Sequence, residues 1–344
     1  MPTLQPSEAK PPIPPLPKTL LPLPHRIYCF LWLWATKLLV TLHTTITNLL
    51  HPPPRSTMPT LTVRLPSRPT LEARIFYPPN YTGTNPRGLL PTYIDLHGGG
   101  FAVHTARLDD AFCSQWSKLT GMLVISLDYR KIPLHPFPTA VYDHQGQHNA
   151  PQPPPLLPID STRLTIGGFS AGANLALAVT QLPALRRKFR AAICYYPIVD
   201  FSHSPPDKMH ARPYRDYWHD NLGDAGWWID WGYVHPGQDR RDPLLSPWYA
   251  AAQDLPERVY MVAAEYDLLR LEAQEMIHRL AGLEDREDKE EGFEKDGYKW
   301  TLAKGCRHGF THGFSRGRRS RRVEVREEIW KEARDWLRRG GVLE

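Results

Sequence analysis

Strand and helix signals alternate through the second half of this chain, and this alternation predicts an α/β fold with a doubly wound, mostly parallel sheet of eight strands. Two further observations agree with it. The 344 residues are enough for one large α/β domain with an extension, and polar or glycine-rich turns follow several of the apolar runs. In open sheets of this kind the functional groups lie at the carboxyl ends of strands.

The predicted strands are short apolar runs, and the first two are close enough in the chain to form an antiparallel hairpin. We expect strands at 60–65, 71–77, 90–96, 122–127, 164–169, 191–199, 259–264 and 300–303. We expect helices near 108–120, 171–182, 268–283 and 323–339.

Outside these elements, composition divides the chain into segments. Residues 1–24 are proline-rich and are predicted to be a disordered leader, since proline removes backbone donors and such stretches build no core. The domain itself is predicted over 56–344, with a cap-like insertion at 200–250 that is rich in Trp, Tyr, Pro and His. The charge run at 284–297 is predicted to be a solvated surface loop.

Residues 25–50 form a strongly apolar block whose length approaches the roughly 20 residues needed to cross a bilayer. Lys37 interrupts this block, and Arg26 precedes it without a small-residue cleavage pattern. We therefore expect an uncleaved membrane attachment through 27–50. A helix that lies in the membrane interface and a cap over the active site are the alternatives.

Net charge and cysteine content limit the partners that we expect for this chain. The net charge of +6 is partly local, because the run at 316–322 carries five arginines. We interpret this run as a solvated loop, so no nucleic-acid partner is expected. The four cysteines lie far apart without a Cys-x-x-Cys pair, so we predict neither a metal site nor a disulfide framework. Oligomeric state is left open.

The stretch Gly168-Phe169-Ser170-Ala171-Gly172 lies between a predicted strand and a predicted helix. A sharp strand-to-helix turn needs neighbours without side chains and lifts the central hydroxyl above the sheet. We therefore predict that Ser170 is a catalytic nucleophile.

A serine hydroxyl needs a base, and the base needs an orienting acid. Asp267 follows the strand at 259–264, and His308 follows the strand at 300–303, which is the order Ser, acid, His. We choose Asp267 as the acid and His308 as the base. His312 has the same His-Gly-Phe setting and is the fallback base; Asp200 and Glu265 are the other acids considered.

A glycine run, His97-Gly98-Gly99-Gly100, follows the strand at 90–96. Glycines let backbone N–H groups point into a cavity, where such donors stabilise the oxyanion of an acyl-transfer intermediate by about 3–4 kcal/mol each. We assign this oxyanion hole to the N–H groups of Gly98, Gly99 and Ala171.

Together these motifs resemble the hormone-sensitive-lipase-like branch of the α/β-hydrolase fold over about residues 60–340. Three more stretches resemble blocks of that family: 127–140 (Leu-Asp-Tyr-Arg through Pro-Phe-Pro-Thr-Ala), 242–247 (Asp-Pro-Leu-Leu-Ser-Pro) and 267–270 (Asp-Leu-Leu-Arg). The resemblance implies a cofactor-free carboxylesterase or lipase that acts through an acyl-enzyme.

The chain departs from this family pattern in three places. Phe169 stands where many members have Asp, a short proline-rich stretch replaces a full helix between Asp143 and Asp160, and 284–297 is an acidic insertion. With the apolar block at 25–50, the arrangement resembles arylacetamide-deacetylase-like enzymes. That resemblance and the sequon at Asn80 imply a membrane-associated protein of the endoplasmic reticulum, with a cytoplasmic location as the alternative.

The function predicted from the sequence is hydrolysis of small or medium carboxylic acyl esters. A non-catalytic small-molecule receptor on the same scaffold is one alternative, although both histidines are present. An acyl transferase that uses the same triad is the other, because the sequence does not identify the acyl acceptor.

Overall fold

A nine-stranded sheet with helices on both faces forms the centre of the molecule. The computed structural model describes residues 22–65, 68–81, 88–143, 157–214, 221–283, 291–312 and 320–344. Most of the predicted leader, the proline-rich stretch at 151–155, the acidic residues 284–290 and the arginines at 316–319 lie outside these ranges.

The strands are β1 (Leu61–Leu65), β2 (Arg68–Phe76), β3 (Leu90–Leu96), β4 (Leu123–Leu127), β5 (Ile159–Phe169), β6 (Ala191–Tyr195), β7 (Val259–Tyr266), β8 (Gly292–Lys295) and β9 (Tyr298–Arg307). The α-helices in the described ranges are α1 (Leu23–Leu50), α2 (Asp110–Thr120), α3 (Ala171–Thr180), α4 (Pro205–Ala211), α5 (Asn221–Tyr233), α6 (Arg270–Leu280) and α7 (Arg321–Arg339).

The strand order is β1-β2-β4-β3-β5-β6-β7-β9-β8. The six strands from β4 to β9 in this order are parallel, whereas β1, β2 and β8 pair antiparallel at the two edges. The prediction of an α/β fold with a mostly parallel, doubly wound sheet is confirmed. Its carboxyl edge brings together the ends of β3, β5, β7 and β9.

Two apolar clusters cover the two sheet faces. On one face, Leu175 of α3 and Met276 of α6 pack with buried strand residues. On the other, Trp116 of α2 and Trp336 of α7 are fully buried. Strands buried on both faces read as continuous apolar runs, which explains why the central strands were predictable.

The predicted count of eight strands was wrong by one. The ninth strand, β8, lies within the predicted loop at 284–297 and pairs antiparallel with β9. Its four residues are exposed or half-buried, so the hydrophobic signal that marks a strand is weak. The run predicted at 191–199 forms a strand only to Tyr195, because Tyr196 has a positive φ of 39°.

The 200–250 segment contributes two helices above the carboxyl edge of the sheet. Ser204 and Asp207 form a capping box that begins α4. The aromatic-rich helix α5 follows, and its Trp228 is buried in the main cluster. Whether the segment acts as a cap remains a prediction.

Residues 23–50 form a single helix, α1, that is long and apolar enough to cross a membrane by length and composition. Within the described part of the chain it is the one helix that meets this criterion. Only 11% of its most apolar 18 residues are buried, so the helix lies on the outside of the molecule. Length and composition alone are weak grounds for a membrane span.

Candidate active site

Ser170 lies at the tight turn between β5 and α3, with φ 53° and ψ −117°. Its N–H donates to the Tyr195 carbonyl at 2.9 Å, and its carbonyl accepts from Asn174 at 3.1 Å. A Cβ at Gly172 would collide with the Leu96 carbonyl, so the close approach of α3 to β3 requires glycine there. The turn raises the Ser170 hydroxyl at the carboxyl end of β5.

The loop after β9 brings His308 to this hydroxyl. His308 Nε2 lies 3.0 Å from Ser170 Oγ, and His308 Nδ1 lies 2.9 Å from Asp267 Oδ2. Asp267 is buried, and its other oxygen accepts the Leu269 N–H at 2.9 Å. The buried carboxylate therefore holds the imidazole so that Nε2 faces the serine proton.

The fallback base, His312, lies in the same pocket but is bonded to other groups. Its Nε2 lies 2.6 Å from Asp109 Oδ1, and its Nδ1 lies 3.0 Å from the Tyr196 hydroxyl. Burial lowers the pKa of His312 to about 4 and raises the pKa of Asp109 to about 8. Both groups are therefore neutral near pH 7.

The two alternative acids also have other partners. Asp200 accepts the Ser202 N–H at 2.7 Å, and Glu265 accepts the Gly305 N–H at 2.7 Å. Of the three acids considered from the sequence, Asp267 is the one hydrogen-bonded to His308 in the described structure.

The glycine loop after β3 passes beside Ser170. Gly98, Gly99 and Ala171 all line the pocket. Gly99 has a φ of 119°, and a Cβ there would clash with the Val103 carbonyl, so this turn requires glycine. Ala171 is the first residue of α3, and the first N–H groups of a helix have no acceptor within it. Whether the three amides form an oxyanion hole remains a prediction.

His97 supports this loop from inside the protein. Its Nε2 lies 3.0 Å from Asp128 Oδ1, and its ring stacks on Tyr129 with centroids 4.4 Å apart. The Tyr129 hydroxyl donates to the His97 carbonyl at 2.9 Å. Burial lowers the pKa of His97, whereas Asp128 and the Gly98 carbonyl, 2.6 Å from Nδ1, favour the charged ring. The Asp-Tyr-Arg block thus fixes the glycine run, a link that sequence spacing does not indicate.

Phe169, the residue before Ser170, makes aromatic contacts behind the turn. Its buried ring stacks on Tyr195 with centroids 4.8 Å apart, and it meets Phe112 and His312 edge to face at 4.9 and 4.5 Å. The side chain at this position therefore packs against the sheet and the ring of His312.

A cavity of about 320 Å³ lies above Ser170, near the lower end of the roughly 300–1,000 Å³ typical of ligand pockets. Its floor is the glycine loop with Ser170 and His308, and its roof comes from α4 and α5. Apolar side chains dominate the upper wall: Leu108, Ile198, Phe201, Leu222, Trp228 and Ile229. Such a cavity suits an uncharged, mostly apolar ligand.

An ion pair joins the roof helix α4 to α6. Lys208 of α4 lies 2.5 Å from Glu272 Oε2 of α6, and Glu272 Oε1 accepts the Val199 N–H at 2.8 Å. Burial raises the pKa of Glu272 to about 7, against the opposing effect of Lys208.

Sequence reasoning missed several residues of this site, chiefly His104, Asp109 and Tyr196. They lie at or just beyond the ends of regular elements near the carboxyl edge, and no motif marks them. Asp109 meets His312 across 203 residues of sequence. The described residues contain no group of three or more His, Cys, Asp or Glu arranged to hold a metal ion.

A family model described as alpha/beta hydrolase fold matches residues 93–292, which is more than half of the chain. The chain therefore belongs to this family, and the predicted resemblance is confirmed at that level. The match covers the nucleophile turn and the glycine loop, but it ends before His308.

Individual relatives include several ester hydrolases. The chain is 32% identical to an arylesterase of Saccharolobus solfataricus over 54% of this chain and 60% of that one. It is 29% identical to an ethyl acetate hydrolase of Pseudomonas putida over 58% and 62%. An esterase structure from Pyrobaculum calidifontis superposes with a TM-score of 0.67 at 23% identity, covering 90% of this chain and 94% of that one.

These comparisons differ in what they support. The structural similarity, at 23% identity, supports the fold alone. The chain spans about three fifths of the length of the two curated relatives. Their activities bear on this protein only as grounds for a proposal.

Proposed function

We propose that this protein is a serine hydrolase of carboxylic esters. The observation that carries the proposal is the position of His308, whose two ring nitrogens lie 3.0 Å from Ser170 Oγ and 2.9 Å from Asp267 Oδ2. The names of the arylesterase and the ethyl acetate hydrolase give independent support.

The reaction would proceed through an acyl-enzyme. Ser170 Oγ attacks the ester carbonyl while His308 Nε2 takes its proton, and Asp267 stabilises the imidazolium that forms. The N–H groups of Gly98, Gly99 and Ala171 would stabilise the oxyanion. His308 then protonates the leaving alcohol. Water repeats the sequence on the acyl-enzyme, which releases the acid and restores the Ser170 hydroxyl. No cofactor takes part in this scheme.

The volume and the lining of the cavity support a proposal for the substrate class. Its volume and apolar wall favour small or medium acyl esters without charge. The neutral forms of His104 and His312, whose pKa values burial lowers to about 4, add polarity without charge at neutral pH.

Hydrolysis of a p-nitrophenyl acyl series, from acetate to long chains, tests the proposal. We expect Ser170→Ala to lower kcat by about 10⁴-fold or more, because the nucleophile is lost while substrate binding is retained. Ser161→Ala, at an exposed serine early in the same strand, is the matched control and should behave as wild type.

Two outcomes would overturn the proposal. A Ser170→Ala variant with wild-type turnover would exclude this nucleophile. Folded wild-type protein that binds acyl esters without hydrolysing any of them would indicate a receptor. Transfer of the acyl group to added alcohol in preference to water would instead identify an acyl transferase with the same triad.

We also propose that the protein associates with membranes through residues 23–50. The support is the apolar composition of α1 and the exposure of most of its surface. A location in the endoplasmic reticulum, and similarity to arylacetamide-deacetylase-like enzymes, remain predictions from the sequence.

A further inference from the structure

One face of α1 is held by the hydrolase domain. Leu33 is fully buried and belongs to the same apolar cluster as Ile132 and Tyr233. One turn later, Lys37 Nζ donates to the Ile132 carbonyl at 2.7 Å. Cys29, one turn earlier, is 1% exposed. These positions recur every four residues, so they form a single stripe.

The opposite face of α1 is apolar and exposed. Leu31, Leu38, Leu42, Ile46 and Leu49 follow one another at helical spacing on this side, and each is between 48% and 76% exposed. A soluble helix normally places such a stripe in the core and its polar residues outside. α1 differs from this pattern, since its apolar stripe is exposed and its one lysine faces the protein.

In the sequence around α1, every Asp, Glu, Lys or Arg position is a lysine or an arginine. Residues 9–71 contain seven lysines and arginines and no aspartate or glutamate; of these, Lys37 faces the domain and Arg68 pairs with Asp143. A basic segment beside an exposed apolar helix is complementary to an anionic lipid surface, which attracts each positive charge.

We propose that α1 binds in the plane of an anionic lipid bilayer, with its Leu33 face on the hydrolase domain and its Leu38 face in lipid. This inference rests on the proposed membrane association and is independent of ester hydrolysis. A membrane-spanning arrangement would break the contacts of Leu33 and Lys37 with Ile132. It would also place Lys37, the fifteenth of the 28 residues of the helix, near the middle of the hydrocarbon.

The bound arrangement places the lipid surface close to the ester pocket. Tyr28 of α1 stacks on Trp227 of α5 with ring centroids 5.8 Å apart. The next two residues of α5, Trp228 and Ile229, line the pocket. One helix, about 10 Å across, therefore separates α1 from the substrate cavity.

Vesicle flotation of the full-length protein tests binding. We expect the protein to float with phosphatidylcholine vesicles that contain phosphatidylserine, and the bound fraction to fall with added salt. Ser170→Ala should float equally well, which separates this test from the test of catalysis. Failure to float with these vesicles, or a dimer in solution that buries the Leu38 face, would overturn the proposal.

Paired charge variants test which face binds. Leu38→Asp with Leu42→Asp should lower the bound fraction about tenfold or more, because two anionic groups enter the lipid-facing stripe. Thr44→Asp with Asn48→Asp adds the same charge on the other side of the helix, where both residues are exposed, and should reduce binding much less. Equal losses in the two pairs would contradict the assignment. Turnover of soluble p-nitrophenyl acetate, measured without vesicles, reports that both variants are folded.

Site-specific labels distinguish an in-plane helix from a spanning one. An environment-sensitive dye on Leu42→Cys should be quenched by quenchers carried on lipid chains, whereas the dye on Thr44→Cys should remain in water. Quenching at both positions would show a helix surrounded by lipid and would overturn the proposal. The four native cysteines are buried, so unmodified protein provides the labelling background.

Discussion

At the scale of single residues, the strained backbone conformation of Ser170 has a clear physical explanation. Its φ of 53° with ψ of −117° is a conformation that non-glycine residues rarely adopt, and such strain costs about 1–3 kcal/mol. The surrounding contacts hold it in place, because Tyr195 and Asn174 bond the peptide groups on either side. This conformation places the Ser170 hydroxyl oxygen 3.0 Å from His308 Nε2.

The two histidines of the loop after β9 give a sharp prediction. His308→Gln should lower kcat by about 10⁴-fold or more, since glutamine keeps a polar group but cannot accept and return the serine proton. His312→Gln should keep activity within about tenfold of wild type, because His312 is bonded to Asp109 and Tyr196. Steady-state kinetics on p-nitrophenyl butyrate measure both.

The same substitution at both positions makes each variant the control for the other. Thermal unfolding of the two proteins checks that a loss of activity is not a loss of folded protein. A larger loss of kcat in a folded His312→Gln variant than in His308→Gln would show that the assignment of the base is wrong.

From the sequence alone, the choice of base could be narrowed only to His308 or His312. His308 and His312 lie four residues apart in identical His-Gly-Phe contexts, so local pattern does not separate them. The distinction depends on Asp267 and Asp109, which reach the loop from different elements. Asp109 lies in a single helical turn before α2, where no motif marks it.

At the scale of elements, the strands predicted best are those buried on both sides of the sheet. β3 was predicted at its observed bounds, and β4 differed by one residue at its start. β8 was missed because an edge strand with Glu294 and Lys295 lacks the apolar run that marks a central one. Edge strands are selected for pairing geometry and charge more than for burial.

The helix α1 shows a different limit of sequence reasoning. Its composition is consistent with a span, an interfacial helix or a cap, since all three need an apolar segment of this length. Lys37 counts against a span in the sequence, but the partner that it has in the fold, the Ile132 carbonyl, lies 95 residues away. The placement of α1 therefore follows from its tertiary contacts and not from its composition.

Docking of α1 on the domain depends on Leu33. Leu33→Ala leaves a cavity beside Ile132 and Gly232, and truncation of a buried leucine costs about 2–5 kcal/mol. We expect this variant to expose the stripe that contains Cys29. The measurement is the rate of thiol labelling of the Cys29 peptide by mass spectrometry under native conditions, which should rise about tenfold or more.

Leu31→Ala is the matched control, since it removes the same atoms from a side chain that is 61% exposed. Its Cys29 labelling rate should equal that of wild type. Equal rates in all three proteins would contradict the docked arrangement of α1, whatever the result of vesicle binding.

At the scale of the whole molecule, the pocket joins groups from distant parts of the chain, and burial lowers the pKa of His104 and His312 in its wall to about 4. The glycine loop, the nucleophile turn and the histidine loop come from three strand ends, and the roof comes from α4 and α5. Desolvation of the histidines around the pocket links the stability of the fold to pH.

His104 makes this linkage testable. Burial, followed by the nearby His97, His312 and Lys131, lowers the pKa of His104 to about 4 in the folded state, against about 6.5 in the unfolded chain. The unfolded state therefore binds a proton first as the pH falls. The stability that His104 contributes is complete above pH 6.5 and is lost between pH 6.5 and 4.

Removing this histidine should reduce the loss of unfolding free energy at acid pH. His104→Asn suits the site because asparagine tolerates the φ of 67° at this position. Between pH 7.5 and 4.5, the variant should lose about 1–2 kcal/mol less unfolding free energy than wild type, after allowance for the partial exposure of the ring. Urea unfolding at the two pH values measures this difference. His235→Asn, at an exposed histidine, should follow the wild-type curve. If His104→Asn and wild type lose stability equally over this range, the ring is not held neutral by burial.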